Sequence, residues 1–219
     1  MEQPPHPAVE AMRRVYAAGG LAEESAAADP VEQFGRWFDE AVAAGLPEPN
    51  AMVVATASPD GAPSARTVLL KGYGDRGFAF FTNLGSAKAG DLAANPRVAL
   101  VFPWHPLERQ VRVVGDVREL PRSEVEGYFA SRPRDSQLGA WASRQSTVIP
   151  GREVLAEEFA AAARRWPEGT PVPAPEFWGG FLVVPSTVEF WQGRESRLHD
   201  RLRYTRGDDG GWRRERLAP

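Results

Sequence analysis

Short strand-like segments separated by tight turns constrain the fold of this chain more than any other feature of its sequence. Residues 51–58 and 64–73 have strand character and flank Pro59-Asp60-Gly61, a turn sequence, so they predict a β-hairpin. Further strands are predicted at 78–83, 97–104, 109–120, 180–185, 187–192, 201–205 and 212–217. About eight strands joined mainly by tight turns predict a mixed α and β fold, mainly antiparallel, with a barrel or closed sheet rather than alternating βαβ units.

Helices are predicted between some of these strands. Asp29 and Pro30 fit the N-cap and the first position of a helix. The apolar residues that follow repeat at helical spacing, which predicts that they cover a sheet: Val31, Phe34, Phe38 and Val42. Other helices are predicted at 86–94, 123–131, 136–142 and 152–166, and the segment Ser123 to Glu126 fits a capping box.

The chain is predicted to hold one folded domain behind an N-terminal arm. Residues 1–28 are rich in Ala, Pro and Glu and predict a mobile arm, whereas residues 29–219 show neither an internal repeat nor a break in composition. Apolar residues make up 42% of the chain and charged residues 25%, values of a globular protein rather than a disordered one. We therefore expect a folded chain apart from its tails.

Charge and residue usage exclude several classes of function. The formal net charge of −3 gives no overall field that would attract nucleic acid or an acidic membrane, so any anion site has to be local. The absence of cysteine excludes disulfides, thiolate metal sites and a cysteine nucleophile. With only His6, His105 and His199 available, no metal centre is expected.

Nothing in the sequence predicts a membrane or secretory segment. Residues 1–8 lack the basic-then-apolar pattern of a secretory signal, and no apolar run approaches the roughly 20 residues needed to span a bilayer. We therefore expect a cytoplasmic protein. The glycine motifs of dinucleotide folds, P-loops and esterase elbows are also missing, so any phosphate is expected to be bound by side chains.

Two segments offer cations beside predicted strands. In Arg66 to Lys71 an apolar centre lies between two cations, which strand alternation places on opposite faces, where they could serve two anions. A core strand with solvated ends explains this segment as well. Phe81 to Lys88 offers hydroxyl groups, backbone N–H groups and a cation at a helix start, which fits either a phosphate site or an ordinary capped helix.

Three further groups of side chains could bind ligands. Gln110 and Arg112 share one strand face, and an amide there suits the edge of a flavin ring, although such a glutamine also occurs as a surface residue. A phosphate pocket, or else ion pairing on a helix surface, could be formed by Tyr128 and Arg132, four apart on a helix, together with Arg134 and Ser136. The most specific segment is Glu189 to Arg201, where alternation predicts three side chains on one face: Arg197, His199 and Arg201.

Taken in this order, the segments resemble the pyridoxine/pyridoxamine 5'-phosphate oxidase family over residues 13–219. The motifs that carry the resemblance are Arg66 to Lys71, Asn95-Pro96-Arg97, Phe102-Pro103-Trp104, Ser131 to Gln137, Phe177 to Gly180, Glu189 to Gly193, Arg197 to Arg201 and Arg216 to Pro219. Each motif is weak alone, whereas the ordered set is specific. The resemblance implies an FMN-binding split β-barrel with surrounding helices, assembled as a homodimer in which both chains line each FMN site.

The resemblance also implies which residues bind FMN. The phosphate and ribityl oxygens would be held by Arg66, Lys88, Gln145 and Ser146, with Phe81 and Thr82 behind the cofactor. The flavin would contact Gln110, Trp191 and Arg201, and the strand residues of the same cofactor set are Thr67, Val68, Leu69, Leu70 and Lys71. The sequence departs from the family at Ala87, where an arginine is common, so one charge-assisted bond to the FMN phosphate is missing.

For the substrate, the resemblance implies a phosphate pocket and a lid. The phosphate would be held by Lys71, Tyr128, Arg132 and Ser136, and an N-terminal segment would close over the site with Arg13, Arg14 and Tyr16. Arg197 and His199 would lie over the pyridine ring as the catalytic residues. Since arginine stays protonated, Arg197 is expected to orient the substrate, whereas His199 can orient it or move a proton.

The implied activity is FMN-dependent oxidation of pyridoxine 5'-phosphate and pyridoxamine 5'-phosphate to pyridoxal 5'-phosphate, with O2 as acceptor and H2O2 as product. One alternative is a flavin reductase, or an oxidase of another aromatic substrate, on the same barrel. The presence of Tyr128, Arg132 and Ser136 argues against it, because such a protein needs no pocket for a substrate phosphate. The other alternative is a non-catalytic FMN or pyridoxal phosphate binding protein, which could have lost Arg197 and His199.

Overall fold

The computed structural model of this protein describes Tyr16 and residues 19–219. Its helices are α1 (Pro30–Ala43), α2 (Ala87–Ala94), α3 (Arg122–Ser131), α4 (Arg134–Ala142) and α5 (Arg152–Arg165). Its strands are β1 (Ala51–Ala57), β2 (Pro63–Leu69), β3 (Gly72–Gly74), β4 (Gly77–Asn83), β5 (Arg97–Trp104), β6 (Arg109–Glu119), β7 (Trp178–Gln192), β8 (Asp200–Arg206) and β9 (Trp212–Arg216). The predicted mixed α and β class is confirmed.

The strands of the described residues form a single nine-stranded sheet. Hydrogen-bonded neighbours follow the order β2-β1-β5-β6-β7-β4-β3, and β8 pairs with both β7 and β9. The β1–β2, β3–β4 and β8–β9 pairs are antiparallel hairpins, and β4–β7 and β7–β8 are antiparallel as well. Antiparallel neighbours can be joined by tight turns, which is why turn sequences between short apolar runs predicted this architecture correctly.

The chain divides into two compact units. Unit 1 comprises the described residues of Met1–Pro49 together with Phe102–Arg112 and Thr187–Pro219. Unit 2 comprises Asn50–Val101 and Val113–Ser186.

In unit 1, helix α1 packs against one face of β7 and β8. Trp37 lies edge-on against Phe190, with ring centroids 5.3 Å apart, and Phe190 contacts Tyr204 at 5.6 Å. These rings are buried in the core. Since side chains alternate between the faces of a strand, the opposite face of β7 carries Glu189 and Trp191.

Helix α1 starts where it was predicted to start, but the face that it buries differs from the predicted one. Asp29 Oδ1 accepts a hydrogen bond from the backbone N–H of Val31 at 2.6 Å, which confirms the N-cap. Trp37 and Ala41 are buried, whereas Val42, predicted to cover the sheet, is 53% exposed. A helix turns one stripe toward a sheet, and the stripe with the large indole buries more apolar surface than the one with Val42.

Residues 19–28, predicted as part of the N-terminal arm, contact β8 and β9 of unit 1. Arg216 forms a salt bridge with Glu23 at 2.6 Å. The hydroxyl group of Tyr204 donates to the carbonyl of Ala27 at 2.7 Å. The mobility of the arm and the single domain that follows it stay predictions.

In unit 2, a glycine on β7 lets the backbone come close to the ring of Phe81, an aromatic side chain of the site. Gly180 on β7 pairs with Phe81 on β4. A Cβ at Gly180 would lie 2.7 Å from Cδ1 of Phe81, closer than side chains tolerate. The glycine therefore leaves room for the Phe81 ring, which stacks on Tyr128 with centroids 3.9 Å apart and planes at 14°.

Lys71 lies outside the strand that carries Arg66, so strand alternation does not decide which way its side chain faces, contrary to the prediction. β2 ends at Leu69, and β3 begins three residues later. The backbone N–H of Lys71 already donates to the carbonyl of Ala79 on β4, at 2.8 Å. Lys71 therefore lies in the bend between two strands and is exposed there.

Two predictions about α3 are also wrong. Its N-cap is Pro121 without a capping side chain, so Ser123 forms no capping box. The helix ends at Ser131, and Arg132 has extended backbone angles of φ −71° and ψ 148°. Because proline disfavours the helical conformation of the residue before it, Pro133 explains this end, and helical spacing does not relate Tyr128 to Arg132.

Candidate functional site

Lys88 is buried near the start of α2, in unit 2, among neutral hydrogen-bond partners. Its Nζ lies 3.0 Å from Thr82 Oγ1, 3.2 Å from Ser86 Oγ and 2.8 Å from Gln145 Oε1. Lys88 is 8% exposed, and no acidic side chain of the described residues pairs with it. A buried ammonium group is costly without a counter-ion, so this arrangement suits the binding of an anion.

Arg66 is held in place on β2 by polar groups of the same unit. Its Nη1 donates to Thr56 Oγ1 at 2.7 Å, and its Nη2 donates to Ser64 Oγ at 2.7 Å. Asp91 on α2 accepts a hydrogen bond from Thr56 at 2.6 Å and lies 3.7 Å from the Arg66 guanidinium. These contacts fix the direction of the guanidinium before any ligand binds.

The electrostatics of this cluster favour an anion. Burial, and after it the positive charge of Arg66, lower the pKa of Lys88 below its usual value. A bound phosphate would oppose both effects, because an anion close by favours the charged form of an amine. Binding of a phosphate and protonation of Lys88 therefore stabilise each other.

The loop after α4 lies beside the same cluster. Ser146 Oγ accepts a hydrogen bond from the backbone N–H of Ala87 at 3.2 Å, and Asn83 Nδ2 donates to the carbonyl of Ser143 at 3.2 Å. Together with the Lys88–Gln145 contact, these bonds tie the loop to the end of β4 and the start of α2. The structure thus brings together five residues of unit 2 that were predicted to contact FMN: Arg66, Thr82, Lys88, Gln145 and Ser146.

A second group of side chains in unit 2 surrounds Tyr128. The ring of Tyr128 stacks on Phe81 and has Lys71 Nζ 6.0 Å from its centroid. The guanidinium of Arg132 lies 4.3 Å from the centroid of Trp178. Its Nη1 is buried without a hydrogen-bond partner in the described part of the chain. Burial lowers the pKa of Arg132, and Tyr128 acts in the opposite direction. A half-buried guanidinium with a buried and unused N–H group is a donor for an anion.

The other two predicted members of this pocket lie at the start of α4. Arg134 does not point to an anion, because its guanidinium donates to the carbonyls of Thr170, at 2.7 Å, and Pro167, at 2.8 Å, as well as to that of Trp166. Its predicted part in a phosphate pocket is therefore wrong. Ser136 is exposed in the first turn of the helix.

The strand residues of the predicted cofactor set surround Arg66. Thr67, Val68 and Leu69 belong to β2 and pair with β1, whereas Leu70 follows the strand. Leu70 is buried, and its backbone N–H donates to the carbonyl of Asn50 at 2.8 Å. These residues therefore hold the strand that carries Arg66. The polar groups that they can offer a ligand are backbone groups and the hydroxyl group of Thr67.

In unit 1, three rings meet beside β7 and β8. Trp191 and His199 have ring centroids 4.7 Å apart. Tyr16 lies edge-on to both, at 5.9 Å from Trp191 and 5.6 Å from His199. A Cβ at Gly193 would lie 2.9 Å from Cγ of Tyr16, so a glycine there lets this ring approach. Arg13 and Arg14, predicted to act with Tyr16, lie outside the described residues.

The hydrogen bond of His199 assigns its tautomer. The Nδ1 atom of His199 accepts from the backbone N–H of Arg194 at 3.1 Å. The neutral ring then carries its proton on Nε2 and offers a donor, not an acceptor, at that atom. Of the two roles predicted for His199, this geometry favours orienting a ligand by donation over accepting a proton.

Arg197 does not share a strand face with His199 and Arg201, contrary to the prediction. Residues Glu195–Arg197 form a 3₁₀ turn, and β8 begins only at Asp200. Arg197 itself has φ 61°, in the left-handed region. Left-handed conformations of non-glycine residues are uncommon and occur often at functional sites, so the exposed Arg197 is displayed by a turn rather than a strand.

Arg201 and Gln110 are the remaining predicted residues of unit 1. Arg201 lies directly opposite Trp191 across the β7–β8 pair. Its Nε donates to Glu189 at 2.8 Å. Gln110 lies on β6 and is half-buried.

Sequence reasoning missed four residues that hold predicted ligand-binding arginines in place: Thr56, Asp91, Trp178 and Glu189. Thr56 and Asp91 gave no signal, because their common partner Arg66 is distant in the sequence. Glu189 and Trp178 lie in motifs that carried the family resemblance. A carboxylate on a strand beside buried aromatics was the available signal for Glu189.

Two further features of the described residues bear on function. No group of three or more histidine, aspartate or glutamate side chains is arranged to hold a metal ion within this part of the chain. Among the five helices described, none combines the length and the apolar character that crossing a membrane requires.

Comparison with protein families gives two consecutive matches. Residues 38–164 match the family model of pyridoxamine 5'-phosphate oxidase, and residues 178–219 match that of the pyridoxine 5'-phosphate oxidase C-terminal dimerisation region. The pyridoxine/pyridoxamine 5'-phosphate oxidase of Rubrobacter xylanophilus is 61% identical over 208 residues, which cover 95% of either chain. That of Salinispora arenicola is 60% identical over 209 residues, again 95% of either chain.

Solved structures show the same fold. PhzG from Burkholderia lata, in complex with tetrahydrophenazine-1-carboxylic acid, superposes with a TM-score of 0.86 at 28% identity, over 92% of this chain and 99% of that one. A pyridoxamine 5'-phosphate oxidase-related, FMN-binding protein from Nostoc punctiforme gives a TM-score of 0.69 at 17% identity, over 92% and 100%. The second likeness concerns the fold alone.

Fold and family models define the class of this chain as an oxidoreductase on a split β-barrel with surrounding helices. Within that class, the chain belongs to the pyridoxine/pyridoxamine 5'-phosphate oxidase family. The resemblance of its ordered motifs predicted this family correctly.

Proposed function

We propose that the protein is an FMN-dependent oxidase that converts pyridoxine 5'-phosphate and pyridoxamine 5'-phosphate to pyridoxal 5'-phosphate, with O2 as acceptor and H2O2 as product. The observation that carries this proposal is the presence in unit 2 of two cation clusters. Each contains a cation without an anionic partner among the described residues: the buried Lys88 beside Arg66, and near Tyr128 the half-buried Arg132, whose Nη1 atom is buried. A cofactor and a substrate that each carry a phosphate need two such clusters.

The residues present fit FMN. Lys88, Arg66, Gln145 and Ser146 would hold its phosphate and ribityl oxygens, and the ring contacts would come from Gln110, Trp191 and Arg201. When bound, FMN supplies two-electron acceptance from the substrate and the return of these electrons to O2. The names of the two relatives described above support this reaction.

The substrate would be held by its phosphate and by its ring. Lys71, Tyr128, Arg132 and Ser136 would bind the phosphate, whereas Arg197 and His199 would orient the pyridine ring. The Nε2–H of His199 would donate to a polar substituent of that ring, since its Nδ1 is already occupied. Tyr16, which packs on Trp191 and His199, would cover the ring from the N-terminal side.

We propose a homodimer with FMN lined by both chains. The match of residues 178–219 to a dimerisation region supports this assembly. A cytoplasmic location is proposed on the basis of the family.

Oxidation of a different aromatic ring is a second candidate, because the PhzG structure holds tetrahydrophenazine-1-carboxylic acid and is closely similar.

Oxygen uptake and H2O2 formation with pyridoxine 5'-phosphate and pyridoxamine 5'-phosphate test the first candidate. Reduction of FMN by NAD(P)H tests for a flavin reductase. If the protein binds FMN but forms H2O2 with neither phosphorylated substrate, the proposed activity is refuted.

Arg197→Ala and His199→Ala are each expected to lower kcat/KM for pyridoxine 5'-phosphate by at least about tenfold, or ~1.4 kcal/mol, because an orienting contact to the ring is lost. FMN should stay bound in both variants. Steady-state oxygen uptake on the FMN-loaded enzymes measures the effect. The control is Leu198→Ala, which lies between the two residues, is 70% exposed, and should change kcat/KM by less than about twofold. Unchanged turnover in both variants would contradict the assignment.

As the pH rises above neutrality, FMN affinity is expected to begin to weaken at a pH below 10.5, the ordinary pKa of lysine. Burial lowers the pKa of Lys88, so its ammonium form, which binds phosphate, is lost at a lower pH than in an exposed lysine. Titration of the apoprotein with FMN at a series of pH values measures this. Lys88→Arg should remove the pH dependence, since guanidinium stays charged. Equal pH profiles of the two proteins would count against Lys88 as the group that titrates.

Ala87→Arg is expected to lower the Kd for FMN by about tenfold or more, because one charge-assisted hydrogen bond contributes about 1.5–3 kcal/mol. Ala87 is exposed at the first position of α2, beside Ser146. Ala93→Arg adds the same charge to an exposed position near the other end of the helix and serves as the control. An equal gain in both variants would assign the effect to net charge instead of to the site.

A further inference from the structure

Glu189 is a buried carboxylate that bridges two arginines in unit 1. Its side chain is 6% exposed. Oε2 accepts from Arg112 Nη2 at 2.6 Å, and Oε1 accepts from Arg201 Nε at 2.8 Å. Each carboxylate oxygen thus serves a different guanidinium, and these two charge-assisted bonds compensate the burial of the charge.

The register of β7 and β8 explains how Glu189 reaches Arg201. Arg201 lies directly opposite Trp191, and Glu189 precedes Trp191 by two residues on the same face of β7. Diagonal neighbours on adjacent antiparallel strands are within reach of long side chains. The salt bridge therefore runs diagonally across the strand pair and holds the guanidinium of Arg201 beside β7.

Only part of the hydrogen-bonding capacity of Arg201 is used by the protein. Nη1 donates to the carbonyl of Ala218 at 2.8 Å, and Nε donates to Glu189. Across the described chain, Nη2 has no hydrogen-bond partner. Because the guanidinium is planar and rigid, fixing two of its nitrogens also fixes the direction of the third. Arg201 is 27% exposed on its side chain, so this third nitrogen is available to a ligand.

We infer that Glu189 is a positioning residue for FMN: it acts through Arg201, whose Nη2 it holds ready for the flavin ring. This inference rests on the proposed function, which assigns Arg201 to that ring. Without the carboxylate, Arg201 keeps its charge and loses the contact that fixes its direction. The ordering of a long side chain would then have to accompany cofactor binding and would weaken it.

The sign of the effect separates positioning from a simple field effect. Glu189 is negative and FMN is an anion, so removal of the charge alone would strengthen FMN binding. Loss of positioning weakens it instead. Glu189→Leu removes the charge together with both acceptor oxygens and changes the volume only modestly, so it tests the two against each other.

The experiment is a double-mutant cycle on FMN affinity, measured by quenching of flavin fluorescence when apoprotein is titrated with FMN. Glu189→Leu and Arg201→Gln should each raise the Kd by about tenfold or more, and the double variant should bind within about twofold of Arg201→Gln alone. The control is Glu215→Leu. Glu215 is a half-exposed carboxylate on β9, paired with Arg203 at 3.1 Å, and its loss should change the Kd by less than about twofold.

Glu189→Asp covers the case in which the leucine variant does not fold. It keeps the buried charge and shortens the side chain by one methylene group, so it should still raise the Kd, by about fivefold. Unchanged or tighter FMN binding in both Glu189 variants would overturn the inference, as would losses that multiply fully in the double variant. If wild-type apoprotein binds FMN and the Glu189 variants match it, the inference alone is wrong. If the wild type binds no FMN, the proposed function is wrong.

Discussion

Lys88→Met is expected to raise the Kd for FMN by about 100-fold while leaving the apoprotein at least as stable as the wild type. The ammonium group is buried among Thr82, Ser86 and Gln145 and has no acidic partner in the described residues. Charge-assisted hydrogen bonds contribute about 1.5–3 kcal/mol each, and about 2.7 kcal/mol corresponds to this loss of affinity. A buried charge without a counter-ion costs stability, so an apolar side chain of similar length should relieve that cost.

Two measurements on the same variant check both halves of this expectation. Titration with FMN gives the Kd, and thermal unfolding of the apoprotein gives the Tm. Arg118→Met, which removes an exposed cation of unit 2, is the control and should change neither quantity appreciably. Lys88→Met protein with wild-type FMN affinity would show that Lys88 does not hold the phosphate.

Arg132→Met is expected to lower kcat/KM for pyridoxine 5'-phosphate by about 100-fold, mainly through KM, with FMN affinity unchanged. The guanidinium is held over Trp178 at 4.3 Å and has a buried N–H group for which residues 19–219 and Tyr16 provide no acceptor. Two charge-assisted bonds to a substrate phosphate at about 1.5–3 kcal/mol each exceed the loss that we expect. Steady-state kinetics on FMN-loaded enzyme measures it.

Unphosphorylated pyridoxine provides the control for Arg132. If the guanidinium binds the phosphate, any slow turnover of pyridoxine should be the same in wild type and variant. An equal loss for both substrates would place the effect of Arg132 on the ring or on the fold and not on the phosphate.

The sheet and most elements could be predicted, because they depend on local sequence. The turn at Pro59 to Gly61 and the N-cap at Asp29 are signals that a few adjacent residues carry, and the structure has both. Local signals failed where a neighbour interfered. Pro133 ends α3 before Arg132, and the bend at Lys71 takes that residue out of the strand.

The sequence motifs could name the residues of the candidate site but not the contacts between them. The ordered motifs named Lys88 and Gln145, whereas their hydrogen bond joins residues 57 apart in the sequence. The bond between Arg112 and Glu189 spans 77 residues. Contacts of this kind depend on strand register and on loop packing, so no periodicity in the sequence reveals them. The left-handed conformation of Arg197 is likewise set by its turn and not by strand alternation.

The central claim is that separate cation clusters hold two phosphorylated aromatic molecules, one of which reduces the other. Anaerobic addition of pyridoxine 5'-phosphate to the FMN-loaded protein, followed in the visible spectrum of the flavin, tests it most directly. We predict bleaching by the phosphorylated substrate, recovery of the colour when O2 is admitted, and little bleaching by the same concentration of pyridoxine. A flavin spectrum that pyridoxine 5'-phosphate leaves unchanged, or that pyridoxine bleaches equally well, would contradict the claim.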